Sequence, residues 1–192
     1  FSTAMGSISF NNSDTRVKCF GVDSNTGLEA GKNVTILFYN SEDDFAIRLK
    51  TKEGEEVILY KTTGEGKSFE ENYQEMLSKG ATCGNERVFG ERDFLRIPFI
   101  KIQDEINYDE LCGRPIKNNN YYIKQAIQTV DFELNNIGGS VKSEAVIEAT
   151  QKATSEPERR MIFDSDFIVY LKEENKEQPY FALKVDDVSV LL

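Results

Sequence analysis

The stretch from Tyr121 to Val185 most restricts what this chain can fold into. Tyr121 to Leu134 reads as a strand. It ends in strict alternation, with Val130, Phe132 and Leu134 on one face and Asp131 and Glu133 on the other. A period of two residues fits a strand buried on one side. The pair Gly138-Gly139 then breaks the pattern, because glycine takes backbone angles that other residues avoid. Ser140 to Arg160 is polar and nearly free of large apolar side chains. Phe163 and Phe167 open a strand through Tyr170 and Leu171, Glu173 to Pro179 is a polar turn, and Tyr180 to Val185 is a last strand. The chain must therefore hold a long polar segment between sheet strands and close on a hairpin.

The upstream half reads as more antiparallel sheet. Asn11 to Asp14 is a turn ahead of a short strand with Val17 and Cys19 on one face, and Asp23 to Lys32 is loop. Ile36 to Tyr39, Phe45 to Leu49 and Val57 to Tyr60 are three strands with short turns, an antiparallel meander. Ser68 to Lys79 is the clearest helix. Ser68 and Glu71 form a capping box, Phe69, Tyr73, Met76 and Leu77 share a face, and Gly80 is the expected stop. Phe94 to Ile102 is an apolar run containing Pro98, hence an edge or bent strand. Tyr108 to Cys112 fits one helical turn.

Composition removes several function classes. A net charge of −10 opposes binding to nucleic acid, whose phosphates repel an acidic surface. No apolar run approaches the roughly 20 residues of a spanning helix, so no membrane role is expected. There is no histidine, which removes Ser/His and Cys/His nucleophile pairs. Cys19, Cys83 and Cys112 show no CxxC spacing, so no zinc site is expected. Gly64-Glu65-Gly66-Lys67-Ser68 ends like a phosphate loop. Lys61 stands where that motif needs its first glycine, however, and a capped helix entry is the simpler reading. Glu42-Asp43-Asp44 and Asp186-Asp187 lack calcium-loop spacing. The expectation is a protein that is not an enzyme, without cofactor or metal.

Three segments resemble the C-terminal third of the serpin family. Phe132-Glu133-Leu134-Asn135-Asn136-Ile137-Gly138-Gly139 resembles the hinge. Phe163-Asp164-Ser165-Asp166-Phe167-Ile168-Val169-Tyr170-Leu171 resembles the strand after the reactive loop, and Phe181-Ala182-Leu183-Lys184-Val185 the closing strand. The resemblance implies an α+β fold, mainly antiparallel β-sheets with few helices, like the C-terminal half of a serpin. It makes Gly138 and Gly139 the hinge and puts the cut bond of an exposed loop at Lys152-Ala153, with a serine or cysteine protease as partner. Lys152 suits a trypsin-like enzyme.

The family's trapping mechanism inserts the cleaved loop into a sheet, which needs small uncharged residues after the hinge. Here Lys142 and Glu144 share one face, with Val141, Ser143 and Ala145 on the other. This departs from the family's alanine and threonine run. Ser140 to Lys152 is also rich in helix formers, which would make Lys152 an ordinary surface lysine.

The resemblance covers only the latter half of a serpin. The strand beside Tyr121 to Leu134 has no counterpart, and open edges recruit other strands. A homodimer through that edge, or a segment upstream, is expected. A binding or assembly module on the same scaffold is the alternative to a protease bait. Residues 1–6 read as a tag remnant or an internal starting point without a signal peptide, and residues 7–192 as one domain. The resemblance favours an extracellular location, which the residues themselves leave open.

Overall fold

The computed structural model describes residues 4–23, 31–51, 54–64, 66–84, 87–117, 121–135 and 158–191. The hinge glycines Gly138 and Gly139 and the bond Lys152-Ala153 lie outside these residues. Eleven strands are present among them: β1 (Ala4–Ser9), β2 (Arg16–Val22), β3 (Val34–Ser41), β4 (Asp44–Lys50), β5 (Glu55–Lys61), β6 (Phe94–Pro98), β7 (Ile100–Asn107), β8 (Ile127–Leu134), β9 (Arg160–Ile162), β10 (Phe167–Glu173) and β11 (Phe181–Val185). The α-helix α1 (Phe69–Thr82) lies between β5 and β6. The architecture is α+β with mainly antiparallel sheets.

The central layer is a five-stranded sheet in the order β11-β10-β5-β4-β3, antiparallel at every pairing. The meander read from the sequence supplies three of its strands, and the closing hairpin adds the other two. Strands β5 and β10 are apolar on both faces because both faces are covered. Val57, Leu59, Phe167 and Val169 enter the larger core, while Ile58, Tyr60, Ile168 and Tyr170 enter a smaller one under α1. The helix contributes Tyr73 and Met76 to that smaller core, whereas Phe69 and Leu77 stay about half exposed. The apolar helical face is thus narrower than its sequence suggests.

The helix is capped as read: the Ser68 hydroxyl accepts from the Glu71 N–H, and the Glu71 carboxylate accepts from the Ser68 N–H. That second bond holds the Glu71 carboxyl below its ordinary range. Its end differs from expectation. Gly80 does not stop the helix, which runs to Thr82 with Cys83 as C-cap. A Cβ on Gly80 would sit 3.6 Å from the Leu37 carbonyl oxygen, so this glycine lies where the helix passes close to β3. Lys79 reinforces that contact. Its ammonium pairs with Asp44 (2.8 Å) and Glu75 (2.9 Å), donates to the Tyr60 hydroxyl (3.0 Å) and lies over the Phe38 and Tyr60 rings.

A second sheet, in the order β1-β2-β6-β9, packs over the larger core. Residues 4–6, set aside in the sequence reading, belong to β1, where Ala4 pairs with Phe20. In β2, Gly21 lies so close to β6 that a Cβ there would stand 1.9 Å from the Leu95 carbonyl oxygen. The apolar run 94–102 is split. It ends one strand at Pro98 and begins another at Ile100, and the two enter different sheets. Of the two readings of Pro98, the bend holds: β6 is internal, flanked by β2 and β9.

The third sheet is the ribbon β7-β8, in register from Ile100↔Leu134 to Asn107↔Ile127. The alternation in β8 is as read, with Val130, Phe132 and Leu134 half-buried and Asp131 and Glu133 exposed. The strand begins at Ile127 rather than at Tyr121. Residues 121–124 instead fold back on 113–116, with Pro115 bridging to Tyr122.

Candidate functional site

The residues that border segment 136–157 define the site. On its N-terminal side the chain leaves β8, whose inner face is tied to the body of the protein. Phe132 stacks on Phe181 of β11 at 5.4 Å, and Leu134 pairs across to the fully buried Ile100. Strand β7 lies along one edge of β8, and no described strand lies along the other. The backbone groups on that free edge can pair with an added strand.

On its C-terminal side the chain enters a different sheet. Strand β9 runs parallel to β6, pairing Phe94↔Arg160, Leu95↔Met161 and Arg96↔Ile162. Parallel pairs of this length are weak alone, and side chains reinforce this one. Arg159 forks onto Asp93, with Nε to Oδ1 at 2.9 Å and Nη2 to Oδ2 at 2.6 Å. A bidentate guanidinium–carboxylate pair is among the stronger polar contacts, and the Asp93 side chain is only 2% exposed. Arg159 Nη2 also donates to the Val88 carbonyl, and Asp93 accepts from the Gly90 N–H. Just beyond β9, the buried Lys61 ammonium donates to the Ile162 carbonyl at 3.0 Å and to Asp164 at 2.6 Å. The Met161 and Phe163 side chains are fully buried. The two borders of the segment are thus fixed in two separate sheets.

The remaining sequence motifs serve structure. The glycine-rich turn lies beside a cleft of about 740 Å3 lined by Thr62, Gly64, Lys67, Asn72, Asp166 and Lys184. Lys67 is ion-paired with Glu75 and Lys184 with Asp166 and Asp186, so these cations are already neutralised. Glu71 occupies the helix start, where a phosphate would otherwise be held. The acidic triplet is spent on three cations: Glu42 on Arg160, Asp43 on Lys61 and Asp44 on Lys79. Asp187 accepts from the Ser189 N–H. Among the described residues no group of three His, Cys, Asp or Glu side chains could hold a metal ion. Cys19, Cys83 and Cys112 form no disulfide and are buried, half-buried and exposed in that order, and burial pushes the Cys19 thiol up.

The Asp93–Arg159 fork and the Lys61–Asp164 pair were missed in the sequence. Their partners lie 66 and 103 residues apart, and only the match of opposite charges, common in any charged chain, links them.

No protein-family model matches the sequence, and no curated protein is similar to it. Solved serpin structures match its fold. Serpin48 of the insect Tenebrio molitor aligns with a TM-score of 0.53 at 15% identity over 94% of this chain and 49% of its own. The serpin of Schistosoma mansoni aligns with a TM-score of 0.58 at 13% identity over 96% of this chain and 49% of its own. Serine protease inhibitor (Serpin)-12 of Manduca sexta aligns with a TM-score of 0.55 at 8% identity over 96% and 50%. The chain spans about half the length of the serpins it matches, and its fold is that of the C-terminal half of a serpin.

Proposed function

We propose that the chain presents segment 136–157 to a trypsin-like protease as bait, with cleavage after Lys152 and Gly138-Gly139 acting as the hinge. The observation that carries this reading is the bordering of the segment by β8 in one sheet and by the clamped β9 in another. A protease needs a long accessible span held at both ends, and the Arg159–Asp93 fork holds the far end. The free edge of β8 is the place where a cleaved strand would add. Lys142 and Glu144 charge one face of that strand, which favours simple cleavage over stable trapping.

Incubation with trypsin-like and elastase-like serine proteases, read on a denaturing gel and by melting temperature, tests this. Nicking at Lys152-Ala153 supports the bait role. A covalent protease band with a rise in melting temperature after cleavage extends it to a trap. Cleavage elsewhere, with 136–157 intact, refutes both.

The free edge of β8 also favours a second reading, a binding module that assembles as a homodimer through that edge. Sedimentation as a monomer across a wide concentration range would count against the dimer.

A further inference from the structure

In a chain of net charge −10, residues 113–124 hold three basic side chains and no acidic one. Residues 113–117 and 121–124 form a small ribbon that projects from the open end of β7-β8. It is held by Ile116 N–H to the Tyr121 carbonyl (2.9 Å), Ile123 N–H to the Arg114 carbonyl (3.0 Å) and Gly113 N–H to the Ile123 carbonyl (2.8 Å). Every charged side chain on it is basic: Arg114, Lys117 and Lys124. None of the three forms an ion pair with a described residue, and the Arg114 guanidinium donates to the Glu110 backbone carbonyl. Among the other described residues most cations are ion-paired, as Lys61, Lys67, Lys79, Arg159 and Lys184 are.

The same ribbon exposes apolar surface. Tyr121 and Tyr122 are 69% and 68% exposed and Ile116 is 45% exposed, at the end of the molecule farthest along the ribbon from the core. Strand alternation sorts these side chains into two faces. Arg114, Ile116 and Tyr121 share one, and Lys117, Tyr122 and Lys124 share the other. Each face therefore sets aromatic surface beside at least one cation. Of these side chains, exposed tyrosine and arginine are the types that interfaces favour over ordinary surface. The fold does not need it, since these side chains add nothing to either core.

We propose that this ribbon docks an acidic polypeptide segment of a partner protein, with carboxylates meeting Arg114, Lys117 and Lys124 and an apolar residue packing on Tyr121 or Tyr122. Charge complementarity selects the occupant. The three cations want carboxylates, and an excess of acidic residues over the whole chain (33 against 23 basic) disfavours any extended anionic surface that would approach more than the ribbon. A short peptide touches the ribbon alone. The proposal is independent of the bait reading, since no residue of 136–157 takes part.

The test uses a fluorescein-labelled peptide of alternating glutamate with leucine and phenylalanine, and its lysine counterpart, titrated against the whole chain by anisotropy at low and at raised salt. The glutamate peptide is expected to bind and the lysine peptide not. Affinity should fall with salt, drop roughly tenfold or more on Lys117→Glu with Lys124→Glu, and drop again on Tyr122→Ala. These side chains are exposed, so an unchanged melting temperature identifies the variants as folded. Bound peptide should also slow alkylation of the exposed Cys112 at the root of the ribbon. No binding, binding unaffected by the variants, or tighter binding to phosphatidylserine vesicles or to single-stranded DNA than to the peptide would each overturn the proposal.

Discussion

Replacing Asp93 by alanine should destabilise this protein far more than the loss of an ordinary charged residue. The carboxylate is almost fully buried and forks onto Arg159, whose side chain is 14% exposed. Breaking a buried pair by removing one partner costs about 3–5 kcal/mol, because the other charge keeps its desolvation cost without its counterion. The Gly90 N–H also loses its acceptor, at about 1 kcal/mol more. The Val88 carbonyl still accepts from Arg159 and offsets part of this, so a net loss of about 3 kcal/mol is expected. For a domain of this size that lowers the melting temperature by roughly 6–12 °C.

Urea unfolding of wild type and Asp93→Ala measures the loss. Amide exchange locates it, with protection over residues 158–163 falling first because β9 has only three residues to hold it. The double variant Asp93→Leu with Arg159→Met should recover most of the stability, since an apolar pair leaves no buried charge. A loss below about 1 kcal/mol for Asp93→Ala would place the pair among ordinary surface bridges and refute the clamp.

Gly21→Ala should abolish folding or cost several kcal/mol, because its Cβ meets rigid backbone at Leu95; a normal melting curve would show that β2 and β6 are not paired as described. Glu75 is held below its ordinary carboxyl value first by its hydrogen bonds to Lys67 and Lys79. Its contribution is therefore present above the unfolded value of 4.5 and lost as pH falls through the lower folded value. Glu75→Gln should lower stability at neutral pH and flatten the acid limb of a melting-temperature profile, and a parallel shift at all pH would contradict this. Thiol labelling followed by mass spectrometry should modify Cys112 first, Cys83 next and Cys19 only on unfolding, in the order of their exposure; early labelling of Cys19 would mean that β2 opens readily.

What the residues alone determined is local. The meander, the capped helix, the inward set of Val130, Phe132 and Leu134 and the closing hairpin are each written in a short-range pattern, a period of two or a cap three residues from its partner. Such patterns need no knowledge of what lies opposite.

The tertiary structure decided whatever depends on a distant neighbour. The bend at Phe99 divides one apolar run between two sheets because its halves meet different partners, Cys19 for Pro98 and Leu134 for Ile100. Gly80 lies inside the helix, over the Leu37 carbonyl of β3, rather than at its end. The Arg159–Asp93 fork and the buried Lys61 join residues that only the sheet packing brings together. A charge pair carries no period in sequence, since its energy depends on separation in space and on burial, and both are set only once the sheets have packed.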